Sequence, residues 1–364
     1  PPIMGAAAFL MAEFLEIPYL DVAAAALLPA LLYYVSVFVQ VDLIAGRDAI
    51  AGDRDERLTV RAVLADGWHF LIPLAVLLLA LFHWRLDPED SALIASVAIL
   101  VVGFGRGYRG ERLTPGKLGR VFVETGVSMV DLILVVAAAG FVIGVLNITG
   151  LGFALTLVLV NAVGSSPILL LLISALVCTV LGMGMPTSGV YVLLAALVAP
   201  ALVQAGIHTI AAHMFILYFG MMSMITPPVA LAAFAAATIS KADPLGTGLA
   251  ALRVGWAAFI IPFIFVSTPA LLLDGGLADI ALAVAVSVLG ITAITIGIVG
   301  YWGRGLDVLP RAAFLALGLF ALPMGFLPVS MAVHGFSAAA IVVLAIIVKL
   351  RNRAPARSHK EETP

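Results

Sequence analysis

"MITPPVALAAFAAATISKADP", residues 224–244, places two adjacent prolines inside an apolar run. Neither Pro227 nor Pro228 has an amide hydrogen, so a helix continuing through them leaves the carbonyls of Ser223 and Met224 without their usual partners. An unpaired carbonyl is costly in hydrocarbon, so a break of this kind is expected where protein or water surrounds it. The first residues, "PPIMGAAAFLMAEFLEIP" at 1–18, carry the same pattern. Pro1 aligns with Pro227, Pro2 with Pro228, Ala6 and Ala7 with Ala232 and Ala233, and Pro18 with Pro244.

The surroundings are those of a membrane protein. Of 364 residues, 63% are hydrophobic and 11% charged, against about 45–50% and 25% in soluble domains. The apolar runs have helical length rather than the ~10-residue alternation of a porin strand, so the fold class is an all-α polytopic membrane protein. Net charge −2 gives no basis for a nucleic-acid partner; membrane lipid is the expected surrounding. The single cysteine, Cys178, has no partner for an internal disulfide and is expected to pack as a small apolar residue. The chain starts with proline inside an apolar segment, which reads as part of something longer. Spanning or half-spanning segments are expected near 3–17, 20–43, 68–85, 91–105, 127–147, 151–163, 167–185, 187–203, 210–222, 228–240, 252–273, 279–300, 311–333 and 336–350.

Basic residues gather in linkers 45–61, 105–120 and 301–311 and in the tail 349–360, whereas the turns at 272–279 and 333–335 carry no Lys or Arg. By the positive-inside rule the basic stretches, the C-terminus included, face the cytoplasm. Segment 20–43 then runs inward, and the half-helix after Pro1–Pro2 runs outward. Segment 252–273 runs outward, and the half-helix after Pro227–Pro228 runs inward. Two similar sequences of opposite orientation signal an inverted repeat, an architecture in which sites form at broken helices near the midplane. The freed carbonyls can then face a cavity and coordinate a cation. A purely structural Pro-Pro kink is the other reading, since Pro is common in membrane helices.

A second break lies in "TVLGMGMPTSGVYVLLAALVAPAL", 179–202. Its Gly/Pro cluster suits a re-entrant hairpin over 167–203 with its tip inside the protein. Thr187 and Ser188 bring hydroxyl oxygens to that tip, and Gly189 lets backbone approach a ligand closely. The following helix start favours a carboxylate. An extramembrane turn between two ordinary spans fits the same spacing.

Other features carry less. His208 and His213 are five apart, so they do not stack as the i,i+4 pair of an H-E-x-x-H zinc site. Glu13 and Glu16 flank the outward end of the first half-helix and read as interfacial carboxylates, or as a proton relay. Asp131 and Arg253 mark span ends, and "NIT" at 147–149 is a chance-level glycosylation match. No nucleotide loop or paired catalytic acids occur, so no catalytic residue and no enzymatic activity are expected. The competing classes are an intramembrane lipid-modifying enzyme, a passive channel, or an ion-coupled anion carrier of another family.

The stretches "PPIMGAAAFLMAEFLEIPYLDVAAAALLPALLYY", "LGMGMPTSGVYVLLAALVAPAL" and "MITPPVALAAFAAATISKADPLGTGLAALRVGWAAFIIPF" closely resemble the large permease subunit of tripartite ATP-independent periplasmic (TRAP) transporters, in the form where small and large membrane subunits are fused. The resemblance runs to about residue 275; this chain looks like the C-terminal portion. It implies an elevator-type secondary transporter of the bacterial inner membrane, with inverted repeats, re-entrant hairpins and proline-broken helices. It further implies uptake of a small organic carboxylate, delivered by an extracytoplasmic solute-binding protein, in symport with Na+ and with no other cofactor. The implied second-repeat sodium site uses Thr187 and Ser188 with Ser223, Ile225, Thr226 and Pro228, Gly189 lining the tip; the first-repeat site keeps only Pro1 and Pro2. The resulting organisation is 1–66, end of the first repeat; 67–126, scaffold helices and a cytoplasmic linker; 127–275, second repeat with hairpin 167–203 and broken helix 210–240; 276–350, C-terminal helices; and 351–364, a cytoplasmic tail. Small-subunit helices and the N-terminal part of the permease are the implied partners.

Overall fold

A computed structural model describes residues 7–50, 67–84, 86–106, 112–150, 166–325 and 331–351, with Ala65 and Ala154 besides. Pro1 and Pro2, the expected segment 151–163 apart from Ala154, and the tail beyond Arg351 lie outside the described residues. The helices are α1 (Ala7–Leu15), α2 (Tyr19–Arg47), α3 (Trp68–His83), α4 (Pro88–Gly105), α5 (Pro115–Thr149), α6 (Pro167–Gly182), α7 (Thr187–Leu197), α8 (Ala199–Gln204), α9 (Thr209–Met222), α10 (Leu231–Ser240), α11 (Pro244–Val254), α12 (Ala257–Ser267), α13 (Leu277–Val299), α14 (Val308–Ala321) and α15 (Met331–Arg351). Among the described residues no strand forms; the one extended pairing is an isolated bridge between Tyr301 and Gly305. Among the described residues five stretches are long and apolar enough to cross a membrane: Tyr19–Arg47, Pro88–Gly105, Pro244–Ser267, Leu277–Val299 and Val333–Leu350. The protein is an all-α polytopic membrane protein.

Local chemistry sets the helix ends. Helix α5 begins at Pro115 rather than near 127, because Thr114 caps it by accepting the Lys117 amide at 3.3 Å and Pro115 fills the first turn. Helix α11 begins at Pro244 in the same way, Asp243 accepting the Gly246 amide at 2.6 Å. The segment expected over 187–203 is divided at Val198, since Pro200 offers no amide to the preceding turn. Helix α14 ends at Ala321, short of the expected 333, because Pro323 holds Leu322 in extended backbone.

The described residues of Pro1–Ala24, Gly52–Leu157 and Met185–Leu197 form one compact unit. In it α7 lies against α1 and α5, and Phe14 meets Tyr191 edge-on at 6.4 Å between ring centres. Helix α3 packs along α4. Those of Ala25–Ala51, Val158–Gly184 and Val198–Pro364 form the second unit. Its inner helix is α9, whose residues Ala211 to Gly220 are all buried, as expected of a helix apolar on every side. Phe215 and Phe219 each meet Phe263 of α12 edge-on, at 5.5 and 5.7 Å. Cys178 on α6 is fully buried, as its apolar setting predicts. A separate core joins α13, α14, α15 and the end of α2 around Phe314, Ile341 and Leu43.

Candidate functional site

The buried helix α9 does not stop cleanly at Met222. Its last turn tightens, with the amides of Met224, Ile225 and Thr226 reaching back three residues to Met221, Met222 and Ser223 at 3.0, 3.1 and 3.4 Å. Such a 3₁₀ finish is a common way to use up terminal carbonyls. After Pro227 and Pro228 the chain folds back. Ala230, in the left-handed region at φ 35°, donates to the Thr226 carbonyl at 3.2 Å, and Ala232 donates to Met224 at 3.0 Å.

This alters the sequence expectation. The carbonyls of Ser223 and Met224, expected to be freed by the prolines, each accept a backbone amide. The prolines instead shift the deficit along the chain: among the described residues no backbone amide reaches the carbonyls of Ile225, Pro227, Pro228 or Val229. All four lie in the same loop, Pro228 exposed and the other three half-buried. No residue from Ser223 to Ala230 is titratable, and the last turn of α9 carries no basic side chain. The partial negative charge at the C-terminus of α9 therefore meets the loop with no basic side chain beside it, which favours a cation at that end, while the start of α10 at Leu231 brings the opposite helix end to the loop's other side.

Hydroxyls complete the loop. Thr226 Oγ1 donates back to the Met222 carbonyl at 2.6 Å, leaving its lone pairs available. Ser223 is 1% exposed, and its hydroxyl points at the carbonyls of Gly220, 2.6 Å away, and Gly182, 2.9 Å away. Ser223 thus ties the end of α9 to the end of α6.

Three glycines hold this loop and the helix end before it: Gly182, from the Gly/Pro cluster of the 179–202 break, and Gly248 and Gly255, for which the sequence raised no expectation. A Cβ added at Gly182 would lie 2.6 Å from the Gly220 carbonyl oxygen; one at Gly248 would lie 3.0 Å from Pro227 Cγ; one at Gly255 would lie 2.9 Å from Ile225 Cδ1. Gly248 and Gly255 are seven apart, so they fall on one face of the α11 stretch, and that face is flat where the loop rests. The signal was present in "GTGLAALRVG", 246–255. Reading it required knowing what packs there.

The remaining predicted residues lie on the first unit. Thr187 opens α7 and is half-buried, Ser188 is 6% exposed, and Gly189 is half-buried. Ahead of them Gly184 takes φ 81°, a conformation open to glycine, and the Pro186 carbonyl accepts the Val190 amide at 3.0 Å. The structure therefore gathers Ser223, Ile225, Thr226 and Pro228 in one loop of the second unit, while Thr187, Ser188 and Gly189 share a helix start in the first. His208 is exposed at the start of α9 and His213 buried within it, so the two occupy unlike surroundings. Glu13, Glu16 and Arg253 are exposed.

No curated protein and no solved structure matches the chain. The family model described as the tripartite ATP-independent periplasmic transporter, DctM component, matches residues 1–280, well over half of the sequence. That range contains both double prolines, the 179–202 break and every glycine of the loop cradle. The chain belongs to this family of tripartite ATP-independent periplasmic transporters, as its large membrane component.

Proposed function

We propose that the chain is the permease part of a secondary active carrier that takes up a small organic carboxylate by symport with Na+, the carboxylate being delivered by an extracytoplasmic solute-binding protein. The bacterial inner membrane is its location, with the C-terminus in the cytoplasm. One observation carries the choice of ion: the loop Ser223–Ala230 has carbonyls at Ile225 and Pro228 that no backbone amide reaches, and it has no group that titrates. Neutral carbonyl and hydroxyl oxygens suit a hard cation, whereas proton coupling needs a titratable side chain. Ser223, Ile225, Thr226 and Pro228 supply oxygens for the ion. Thr187 and Ser188, joined to that set by the family resemblance, add hydroxyls, and Gly189 leaves room for the substrate. Pro1 and Pro2 belong to the equivalent break of the first repeat. The inverted repeat and elevator movement rest on the same resemblance and on the reversed orientation of the two proline stretches.

The test is uptake by the full-length permease in proteoliposomes, with its binding protein supplied and a panel of radiolabelled mono- and dicarboxylates offered. Accumulation driven by an inward sodium gradient is the expected result. Accumulation that ignores sodium and follows a pH gradient contradicts the assignment and moves attention to Glu13 and Glu16.

A further inference from the structure

Residues 281–351 lie beyond the family match, and their charge is one-sided. Basic residues there are Arg304, Arg311, Lys349 and Arg351; Asp307 is the one acid. All five sit at one end of the α13–α14–α15 bundle, in the α13–α14 connection, the first turn of α14 or the last turn of α15. The connection is built rather than loose. Tyr301 pairs with Gly305, the Leu306 amide donates to Gly300 at 2.8 Å, and the Trp302 indole donates to the Ala345 carbonyl of α15 at 3.1 Å. Lys349 stands one helical turn beyond Ala345 on the same face, so the indole bond brings the Arg304 hairpin towards it.

The carbonyls at the end of α13 are already served. Arg311 donates to Gly297 and Ile298 at 3.1 and 3.2 Å, and Arg47 donates to Val299 at 3.4 Å while pairing with Asp48. Arg304 and Lys349 are exposed and form no ion pair among the described residues. Next to them Val308 and Leu309 are 83% and 81% exposed; farther along α14 Leu319 is 45% exposed, and Leu315, packed on one side against Gly297 of α13, keeps 38% of its surface exposed.

We propose that this end of the bundle is a binding site for an anionic phospholipid, its phosphate held by Arg304 and Lys349 and its acyl chains lying along Val308, Leu309, Leu315 and Leu319. Basic groups at the end of a membrane bundle recognise anionic head groups. The adjoining apolar stripe selects a lipid over free phosphate, which would gain nothing from four exposed aliphatic side chains. The Trp302 indole, bonded at its polar tip and apolar over its ring, fits the head-group level.

The full-length permease is reconstituted in nanodiscs of phosphatidylcholine with or without phosphatidylglycerol, and retained lipids are counted by native mass spectrometry for wild type and for Arg304→Gln with Lys349→Gln. Both side chains are exposed and outside the core, and a circular-dichroism melt checks that the fold is kept. Removing two charges near the lipid surface should weaken phosphatidylglycerol retention about 30-fold and leave phosphatidylcholine unchanged. Equal phosphatidylglycerol retention in the variant overturns the proposal, as does an equal loss of both lipids. Glycerol phosphate competing as well as phosphatidylglycerol overturns it too, because the acyl chains would then contribute nothing.

Discussion

Ser223 Oγ lies 2.9 Å from the carbonyl oxygen of Gly182, and the same glycine leaves no room for a methyl group against Gly220. A hydroxyl on one helix end and a missing side chain on another thus join α6 and α9 just before the double proline. Gly182→Ala forces a Cβ to 2.6 Å from a backbone oxygen, which cannot rotate away. A loss of about 1–3 kcal/mol is expected, read as a lower midpoint in a thermal or denaturant unfolding series. Ser223→Ala should cost about 1 kcal/mol through the lost hydrogen bond.

Gly248 tests the cradle without touching an oxygen ligand. Gly248→Val places branched carbon where Pro227 Cγ now lies, 3.0 Å from the nearest possible Cβ. The loop must shift. The sodium concentration for half-maximal uptake should rise while the protein remains folded, a combination measured by a sodium titration of transport beside a melting curve. An unchanged titration would separate the cradle from the ion.

Much of the fold was legible because membrane helices advertise themselves by length and hydropathy: α2, α4 and α13 stand close to where apolar runs predicted them. The breaks were legible because proline removes a donor wherever it stands. Which carbonyls go unpaired was not. Counting back four residues from Pro227 and Pro228 names Ser223 and Met224, but the return of Ala232 to Met224 depends on Ala230 turning left-handed, which an alanine does not announce. Gly248 and Gly255 were invisible as site residues for a similar reason, and Gly182, legible as part of the Gly/Pro cluster at 179–202, did not announce its contact with Gly220. A glycine's role there is the absence of an atom, and only the neighbour that fills the space reveals it.

The C-terminal bundle makes its own prediction. Helices α13 and α14 cross where Gly290 faces Gly318: a Cβ on either would come within 2.9 or 2.8 Å of the other's carbonyl oxygen. Gly318→Val should separate the two helices. Hydrogen exchange should then accelerate over 277–321 and leave α9 protected; uniform protection across both regions would show that the crossing tolerates bulk.

Arg311 closes the end of α13 through the carbonyls of Gly297 and Ile298. Arg311→Ala should lower stability by about 1 kcal/mol, the usual scale for a cation at a helix C-terminus, and Arg311→Lys should restore part of it. High salt should narrow the difference between the variants in the same melting experiment.

The loop after α9 is proposed to hold sodium. Thr226→Val removes one hydroxyl of that loop and Thr187→Ala one from the start of α7, each without altering charge. The most direct measurement is equilibrium binding of radioactive sodium to the purified full-length permease, wild type and Thr187→Ala/Thr226→Val, with potassium and choline as competitors at constant ionic strength. Saturable binding that unlabelled sodium displaces and choline does not, and that the double variant weakens by at least about tenfold, on the order of 1.4 kcal/mol, is the predicted result. Binding that does not saturate, or that is identical in wild type and variant, would contradict it.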